Sequence, residues 1–449
     1  MISSRFSVAA IALAITMSSC DRCSDPLVDP ARPAGPQLSL AEVVMYEVFV
    51  RDYSVSGTFD GVRADLDRIA GMGVNCIWLM PIYPVGQLNA NGTHGSPYAV
   101  ADYFDVHPEM GTLDNFKAFV DAAHERGIAV ILDWVANHTA WDNPWISDHP
   151  DWYTTDGAGN ITHPPGTNWT DVADLNFDVA PMRAEMLKAM RFWVDEVGVD
   201  GFRFDYAAGV PASFWATMHA QFSGQGLILL AEAEEEWLHT EAGFDLSYSW
   251  TGLTALKQVL VSGQTAYRIG EAFLTEQTWL PSGDFRLRFS SNHDETSWEA
   301  PAAVLYGGTA EAQVAQAISA FLPGVPMFYN GQEVGSTQYL NLFEKLAIDW
   351  STNPAMAAWY ADLFNARATH PALLGGDITF RWQTNVFVAD RETASGRRAL
   401  LVANVRGTSQ TSDLSLYGDS MNDLTDLFTG EAFSTNQTLA PFEVRFFLD

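Results

Sequence analysis

The chain has 449 residues, of which 47% are apolar and 18% are charged, so it can bury a large core and is not of the intrinsically disordered class. Its 24 basic residues stand against 55 acidic ones, which gives a formal net charge of −31. This balance argues against nucleic acid or an anionic membrane surface as an electrostatic partner.

The N-terminus has the features of an export signal. Arg5 precedes the apolar run Val8–Met17, which is too short to span a bilayer and is typical of a signal peptide, here residues 1–19. Two serines directly before Cys20 resemble a bacterial lipobox, which predicts a lipidated Cys20 that anchors the protein to a membrane, in the periplasm or at the cell surface. The alternative is ordinary secretion, with a small disulfide between Cys20 and Cys23.

A tether over residues 20–40, rich in proline, leads into an alternation of β-prone and helical runs over residues 41–370. The predicted strands are Val43–Val50, Val74–Met80, Ile128–Asp133, Val199–Asp205, Leu227–Glu232, Phe244–Trp250, Phe285–Ser291 and Val325–Tyr329. The clearest predicted helices are Asp60–Gly71, Leu113–Arg126, Pro181–Val197, Ala212–Phe222, Ala310–Leu322 and Pro354–Ala368. The pattern predicts an α/β fold, a (β/α)8 barrel, with an inserted subdomain (residues 139–178) after the third strand. A doubly wound open sheet is the alternative, although no G-x-G-x-x-G follows the first strand.

The pattern changes in residues 371–449, which contain short β-prone runs separated by polar turns and no helical periodicity. The runs are Ile378–Phe380, Asn385–Ala389, Arg398–Asn404, Ser412–Leu416 and Phe442–Phe447. They predict a separate antiparallel β-sandwich domain.

Charged residues cluster where the predicted barrel strands end, which is the edge that carries the active site of such barrels. Arg203 and Asp205 share one face of the fourth strand, because side chains alternate with a period of two. A structural ion pair is the simple explanation of these two residues, since buried charges must be paired. The fifth strand, however, ends in Glu232 and the seventh is followed by Asn292-His293-Asp294, so several carboxylates are expected to meet at one rim.

These motifs resemble, in the same order, the sequence regions of the α-amylase family of glycoside hydrolases. The matching stretches are Asp133–His138 (D-x-x-x-N-H), Asp174–Asn176 (D-L-N), Gly201–Asp205 (G-F-R-x-D), Glu232 and Asn292–Asp294 (N-H-D). The resemblance covers about residues 43 to 449. Tyr206–Val210 stand where many α-amylases carry a Lys-His pair that contacts the leaving-group side of the substrate. The chain is in this respect more similar to the neopullulanase and maltodextrin-cleaving subgroup. The residues that form its leaving-group subsites are therefore not predicted.

The resemblance implies that Asp205 is the nucleophile, Glu232 the general acid/base and Asp294 the third carboxylate, which grips the sugar hydroxyls. A retaining mechanism needs one ionised and one protonated carboxyl group about 5–5.5 Å apart. Arg203 is expected to keep Asp205 ionised, whereas Glu232 has no cationic neighbour in sequence and is expected to have a raised pKa. The resemblance also implies a set of substrate-binding residues, namely Tyr98, His138, Arg203, Asn292 and His293.

The resemblance further implies a structural calcium ion, held by Asn137, Asp174 and the main-chain carbonyl of Gly209. Such oxygen ligands suit Ca²⁺, although a purely hydrogen-bonding role for Asn137 is the alternative. No organic cofactor is expected.

The leading hypothesis is a retaining hydrolase of α-1,4-glucosidic bonds in starch or maltodextrins. The alternatives are a transglycosylase, a neopullulanase or an exo-acting α-glucosidase on the same scaffold, and a non-catalytic binding relative, which the presence of all three carboxylates disfavours. Aromatic side chains of the insert are candidates for stacking on sugar rings, namely Trp141, Trp145, Trp152, Tyr153 and Trp169. Nothing in the sequence predicts the oligomeric state.

Overall fold

The computed structural model describes residues 35–449, apart from the side chain of Asp419. The predicted signal peptide, the predicted lipidation site Cys20 with its neighbour Cys23, and the tether as far as residue 34 lie outside the described residues. Within the described part, none of the helices combines the length and the apolar character that crossing a bilayer requires.

Eight parallel strands of the described chain close into a barrel, and two short strands lie in the insert after the third. In chain order these strands are β1 (Met45–Val48), β2 (Cys76–Leu79), β3 (Ala129–Val135), β4 (His138–Ala140), β5 (Val172–Asp174), β6 (Gly201–Asp205), β7 (Ile228–Ala231), β8 (Leu246–Tyr248), β9 (Phe285–Arg288) and β10 (Val325–Tyr329). The closed order is β1-β2-β3-β6-β7-β8-β9-β10, with β10 paired to β1. The predicted (β/α)8 barrel is therefore confirmed.

Helices surround the barrel and follow its strands. They are α1 (Val50–Tyr53), α2 (Phe59–Arg63), α3 (Leu66–Gly71), α4 (Leu113–His124), α5 (Pro144–Asp148), α6 (Ala180–Phe192), α7 (Ala212–Phe222), α8 (Trp250–Leu260), α9 (Tyr267–Gln277), α10 (Ala302–Leu305), α11 (Thr309–Phe321), α12 (Pro354–Thr369) and α13 (Pro371–Gly375). The predicted bounds of α7 and β10 match the structure. The predicted helix Asp60–Gly71 is instead broken into α2 and α3, and the helix predicted to run to Val197 changes to a π-helical turn at Trp193.

The two faces of the barrel strands bury different sets of residues, as a period of two requires. The interior is filled by side chains such as Met45, Trp78, Ile131 and Leu230, which form one apolar cluster. The outward side chains pack beneath the helices in a second and larger cluster, which includes Phe202 and Phe204 of β6. Arg203 and Asp205 of β6 therefore lie on the inner face, toward the end of the barrel where the strands terminate.

Gly201, the first residue of β6, brings this strand close to β7. Its φ of 151° is one that glycine adopts readily. A Cβ built at this position would lie only 1.9 Å from the carbonyl oxygen of Ile228. Glycine at this position therefore allows the close approach of the two strands that carry Asp205 and lead to Glu232.

The C-terminal region is antiparallel, as predicted, but its second layer is small. The strands are β11 (Asp377–Trp382), β12 (Val386–Glu392), β13 (Arg398–Asn404), β14 (Gln410–Asp413), β15 (Thr425–Asp426), β16 (Asn436–Leu439) and β17 (Val444–Leu448). Five of them form one sheet in the order β11-β12-β13-β17-β15, while β14 and β16 form a separate pair. Along β12, Phe387 and Ala389 face the core shared with the barrel helices, and Val386 and Val388 face the core beneath the small pair. The predicted strand Ser412–Leu416 is cut short, because a 3-10 segment begins at Ser415.

Candidate active site

One buried arginine joins three carboxylates at the rim of the barrel. Arg203 has no exposed surface, and its Nη1 lies 2.8 Å from Asp133 Oδ1 and 3.0 Å from Asp205 Oδ1. Its Nη2 lies 3.0 Å from Glu232 Oε2. The pairing of β3 with β6 and of β6 with β7 explains this arrangement, because it sets Asp133, Arg203 and the end of β7 side by side. The structure thus brings Asp205 and Glu232 together on one guanidinium.

The carboxylates face a cleft of about 810 Å³. Asp205, Glu232 and Asp294 all line it, with side-chain exposures of 14%, 17% and 31%. Tyr98, His138 and His293, which the sequence predicted as substrate-binding residues, line the same cleft. Two exposed aromatic side chains that the sequence analysis did not predict as cleft residues, Tyr206 and Trp298, border it as well, together with the half-buried Phe343.

A chain of polar contacts holds the side of the cleft next to Asp294. His293 Nε2 lies 2.7 Å from the Tyr98 hydroxyl and 3.4 Å from Asp294 Oδ1. On its other side His293 Nδ1 contacts Glu47, a fully buried residue of β1. Burial lowers the pKa of His293, but Asp294 and Glu47 more than offset this effect and raise it to about 9. His293 is therefore a cation that pairs with Asp294 across neutral pH.

The surroundings of Glu232 suit a group that must hold a proton at neutral pH. Burial raises its pKa, the nearby charges of Asp205 and Asp294 raise it further, and Arg203 lowers it, with a net value of about 8. This direction agrees with the expectation for Glu232, but the expectation considered only cationic neighbours in sequence. Glu232 does have a cationic neighbour, because the adjacent strand β6 places Arg203 beside it.

Asp133 lies beneath the cleft and completes the charge pattern. Its Oδ2 accepts hydrogen bonds of 3.2 Å from the Trp78 indole and 3.2 Å from the Tyr98 hydroxyl. Burial raises the pKa of Asp133 to about 7, against the lowering effect of Arg203. Asp133 therefore orients both Arg203 and Tyr98 from below.

His138 lies on the opposite side, against the insert. It is buried, its ring centroid is 5.7 Å from that of Trp169, and burial lowers its pKa. His138 is therefore a neutral hydrogen-bonding group in the cleft at neutral pH, in contrast to the cationic His293.

Two of the predicted substrate-binding residues do not face the cleft. Asn292 has no exposed surface; its Nδ2 is 3.4 Å from Asp294 Oδ2 and its Oδ1 accepts from the Glu295 amide at 2.9 Å. Arg203 is likewise closed off behind Asp205 and Glu232. Both residues contact the carboxylates in the structure, and their predicted contact with the substrate stays a prediction.

Of the five candidate stacking residues of the insert, one lines the cleft, two line a separate cavity and two line neither. Trp169 lines the cleft. Trp145 and Trp152 line a separate cavity of about 390 Å³. Tyr153 is buried against Thr139, with a hydroxyl-to-hydroxyl distance of 2.9 Å, and Trp141 donates to the carbonyl of Thr170 at 3.0 Å.

The predicted calcium ligands are brought together in part. A Cβ built on Gly209 would lie 2.6 Å from Asn137 Oδ1, so these two residues are neighbours. Asp174 is paired with His138 between β5 and β4; burial raises the pKa of its carboxyl group, and Thr154 and His163 lower it. Within residues 35–449 no group of three or more His, Cys, Asp or Glu side chains is arranged to hold a metal ion.

Comparison with known proteins agrees with the fold. The family model "Alpha amylase, catalytic domain" matches residues 39–220. The α-amylase MalA of Haloarcula japonica is 30% identical over 421 residues, which cover 89% of this chain and 60% of that protein. Among solved structures, an α-amylase from Lactobacillus plantarum is 28% identical, with a TM-score of 0.80 over 91% of this chain and 98% of its own. A maltogenic α-amylase, AmyB of Thermotoga neapolitana, is 27% identical, with a TM-score of 0.80 over 91% of this chain and 96% of its own.

A closed parallel barrel whose strand ends carry paired carboxylates in an aromatic-lined cleft has its site at the edge where such barrels bind their ligands. The chain belongs to the α-amylase family. It spans 60% of the haloarchaeal protein and only 31% of the next curated relative, a maltosyltransferase of Mycolicibacterium smegmatis.

Proposed function

We propose that this protein hydrolyses α-1,4-glucosidic bonds of starch or maltodextrins with retention of configuration. The observation that carries the proposal is that Asp205 and Glu232 contact the same guanidinium, at 3.0 Å each, and both face the cleft. Sharing one arginine favours the close spacing of about 5–5.5 Å that retaining enzymes need over the wider spacing of inverting ones. The α-amylase relatives supply the substrate class.

In the proposed first step, Asp205 attacks the anomeric carbon while Glu232 transfers its proton to the leaving glycosidic oxygen. The bond to the leaving sugar breaks as a covalent glycosyl ester with Asp205 forms. In the second step Glu232, now a carboxylate, takes a proton from water, whose oxygen displaces Asp205 and releases the product. Asp294, paired with the His293 cation, would bind sugar hydroxyls of the reacting ring.

Transglycosylation is the second candidate, and the exposed aromatic surface at the cleft mouth favours it. Trp298 is 64% exposed and its ring lies 5.9 Å from that of Phe343, while Tyr206 is 39% exposed and lies 5.3 Å from Trp169. Aromatic faces of this kind can bind an acceptor sugar in place of water. The two functions differ only in what attacks the glycosyl ester.

Product analysis with maltoheptaose and soluble starch tests both candidates, with Asp205→Asn as the inactive control. Mixed shorter maltooligosaccharides support an endo-acting hydrolase, and products longer than maltoheptaose support transglycosylation. Glucose as the sole product indicates an exo-acting α-glucosidase. With pullulan as a third substrate, release of short oligosaccharides indicates neopullulanase action. No turnover by the wild type on any of these substrates contradicts the proposal.

We further propose that Asn137, Asp174 and the Gly209 carbonyl hold a structural Ca²⁺. Amide, carbonyl and carboxylate oxygens are ligands this ion accepts. Within residues 35–449 no hydrogen-bond donor contacts the Oδ1 atom of Asn137, which faces Gly209. The test is thermal unfolding with EGTA and with added Ca²⁺. A midpoint that falls with EGTA and recovers with Ca²⁺ in the wild type, but not in Asn137→Leu, supports the site; identical behaviour of the two proteins contradicts it.

Export as a lipoprotein is also a proposal, which the sequence of residues 1–20 supports. Radiolabelled palmitate should enter the wild type expressed in a bacterial host and not Cys20→Ser. Equal labelling of both proteins, or of neither, contradicts lipidation at Cys20.

A further inference from the structure

The residue after the proposed nucleophile has an unusual backbone. Tyr206 has φ 42° and ψ 49°, a left-handed conformation that is rare for residues other than glycine. Its amide nitrogen donates to Glu232 Oε2 at 2.7 Å. We propose that Tyr206 is a positioning residue, whose left-handed backbone fixes which oxygen of Glu232 carries the proton. This inference rests on the proposed acid role of Glu232 and extends it.

The argument is one of hydrogen-bond balance at the two oxygens of Glu232. Oε2 accepts a hydrogen bond from the Tyr206 amide at 2.7 Å, and the Arg203 guanidinium is ion-paired with it at 3.0 Å. An oxygen that accepts from an amide and faces a cation disfavours a proton of its own, because that proton would point at the amide hydrogen and at the positive charge. Within residues 35–449 no hydrogen bond to Oε1 is formed, and Glu232 lines the cleft. The proton of the neutral acid therefore resides on Oε1, the oxygen left free for the glycosidic oxygen.

The amide is one of several groups that set the proton affinity of Glu232. Burial, Asp205 and Asp294 raise its pKa, whereas Arg203 and the Tyr206 amide lower it. The Tyr248 hydroxyl, which accepts from Arg203 Nε at 3.2 Å, also faces this group. If the amide turned away, the carboxylate form of Glu232 would lose a donor and its pKa would rise. The proton of the neutral Glu232 carboxyl group would also no longer be confined to Oε1.

The side chain of Tyr206 has a separate role, which the test must exclude. Its ring borders the cleft and lies over Gly209, where an added Cβ would be 2.4 Å from the ring. Loss of the ring would therefore change substrate binding whatever the backbone does. Tyr206→Gly and Tyr206→Val both remove the ring, but glycine retains the left-handed backbone and the β-branched valine resists it.

The experiment compares these two variants on maltooligosides with a poor leaving group, a sugar, and a good one, 2-chloro-4-nitrophenol. Acid catalysis matters most for the poor leaving group. On that substrate the kcat/KM of Tyr206→Val should therefore be about 10- to 100-fold below that of Tyr206→Gly, whereas on the good leaving group the two values should agree within about 3-fold. The alkaline limb of the pH profile should lie at higher pH for valine than for glycine. Equal losses on both substrates with superimposable pH profiles would overturn the inference.

A second measurement keeps this inference separate from the proposed function. The Glu232 carboxyl signal, assigned by its loss in Glu232→Gln, is titrated by ¹³C NMR in both variants, without substrate. A higher pKa for Tyr206→Val supports the role of the amide, and equal values overturn it, whatever the wild type does on α-glucans. If Tyr206→Val unfolds, Tyr206→Ala, which also disfavours the left-handed region, takes its place against Tyr206→Gly.

Discussion

Two arginine clusters in this barrel have similar residues and opposite accessibility. Arg203 lies on the inner face of β6 and holds Asp133, Asp205 and Glu232. Arg288 lies on the outer face of β9, where it contacts the Glu276 carboxylate of α9, the Ser249 hydroxyl at 2.8 Å and the Pro323 carbonyl at 3.0 Å. Both guanidinium groups are buried and ion-paired.

The difference lies in the carboxylates. Asp205 and Glu232 keep 14% and 17% of their side-chain surface, whereas Glu276 keeps 1%. A buried ion pair alone therefore does not indicate an active site. The cluster around Arg288 contains such a pair, but its carboxylate, Glu276, is closed to solvent. An inward arginine whose partners open onto a cleft holds two carboxylates beside each other where a substrate can reach them. The following predictions test this distinction, from the largest expected effect to the smallest.

Removing the central cation should separate the two clusters most clearly. Arg203→Met and Arg288→Met each leave a buried carboxylate without its partner, so each should lower the free energy of unfolding by about 3–5 kcal/mol. Only Arg203→Met should also lower kcat/KM of the folded protein, by about 10³-fold, because Asp205 and Glu232 lose their common anchor. Arg288→Met should stay within about 3-fold of the wild type. Denaturant unfolding and initial rates on maltoheptaose, corrected for the folded fraction, provide the comparison.

Equal loss of activity in the two variants would mean that both arginines act through overall stability. A milder substitution, Arg203→Lys, keeps the charge and loses the fork that holds Asp205 and Glu232 together. It should recover part of the stability but little of the activity.

The pH profile of kcat/KM should depend on Glu232 of the Arg203 cluster, which is open to the cleft, and not on Glu276 of the Arg288 cluster, which is closed. Glu232 must be protonated to act as the acid, and its pKa of about 8 lies above its ordinary value of 4.5. The acid form is thus present below about pH 8 and lost as the pH rises through that value. The kcat/KM on maltoheptaose should stay constant to about pH 7 and fall about 10-fold per unit well above pH 8.

The matched variants are Glu232→Gln and Glu276→Gln. Glu232→Gln should lower kcat/KM by about 10²- to 10⁴-fold and abolish the alkaline limb, while Glu276→Gln should leave the limb where it is. An alkaline limb that survives in the residual activity of Glu232→Gln would show that another group titrates there.

Much of the fold and the centre of the site follow from local sequence patterns. The barrel strands are short apolar runs that alternate with helical segments, and a period of two is enough to put Arg203 and Asp205 on one face of their strand. The positions of Glu232 and Asp294 follow from the strand ends in the same way. These predictions depend only on residues close in sequence, or on the rule that strand ends meet at one rim.

The rest of the site depends on contacts between segments that are distant in sequence. Glu47 pairs with His293 across 246 positions, and nothing near Glu47 indicates that partner. A buried acid within the apolar run Val43–Val50 was nevertheless a usable signal, because such a charge needs a partner. The conformation of loops decided the aromatic border, which is why Tyr206 and Trp298 were not predicted.

A third cluster, next to Arg288, has the spacing of a catalytic triad but belongs to the closed face. The His239 Nε2 lies 2.7 Å from the Ser247 hydroxyl and its Nδ1 lies 2.9 Å from Asp284. Ser247 nevertheless has no exposed surface, and Arg286 donates to its hydroxyl, so no substrate can reach that oxygen. Ser247→Ala should therefore leave kcat/KM on maltoheptaose within about 2-fold of the wild type and lower the free energy of unfolding by about 1–3 kcal/mol, since His239 and Arg286 lose a buried partner. Initial rates with denaturant unfolding check this prediction, and a large loss of activity in a variant of normal stability would contradict the division between open and closed clusters.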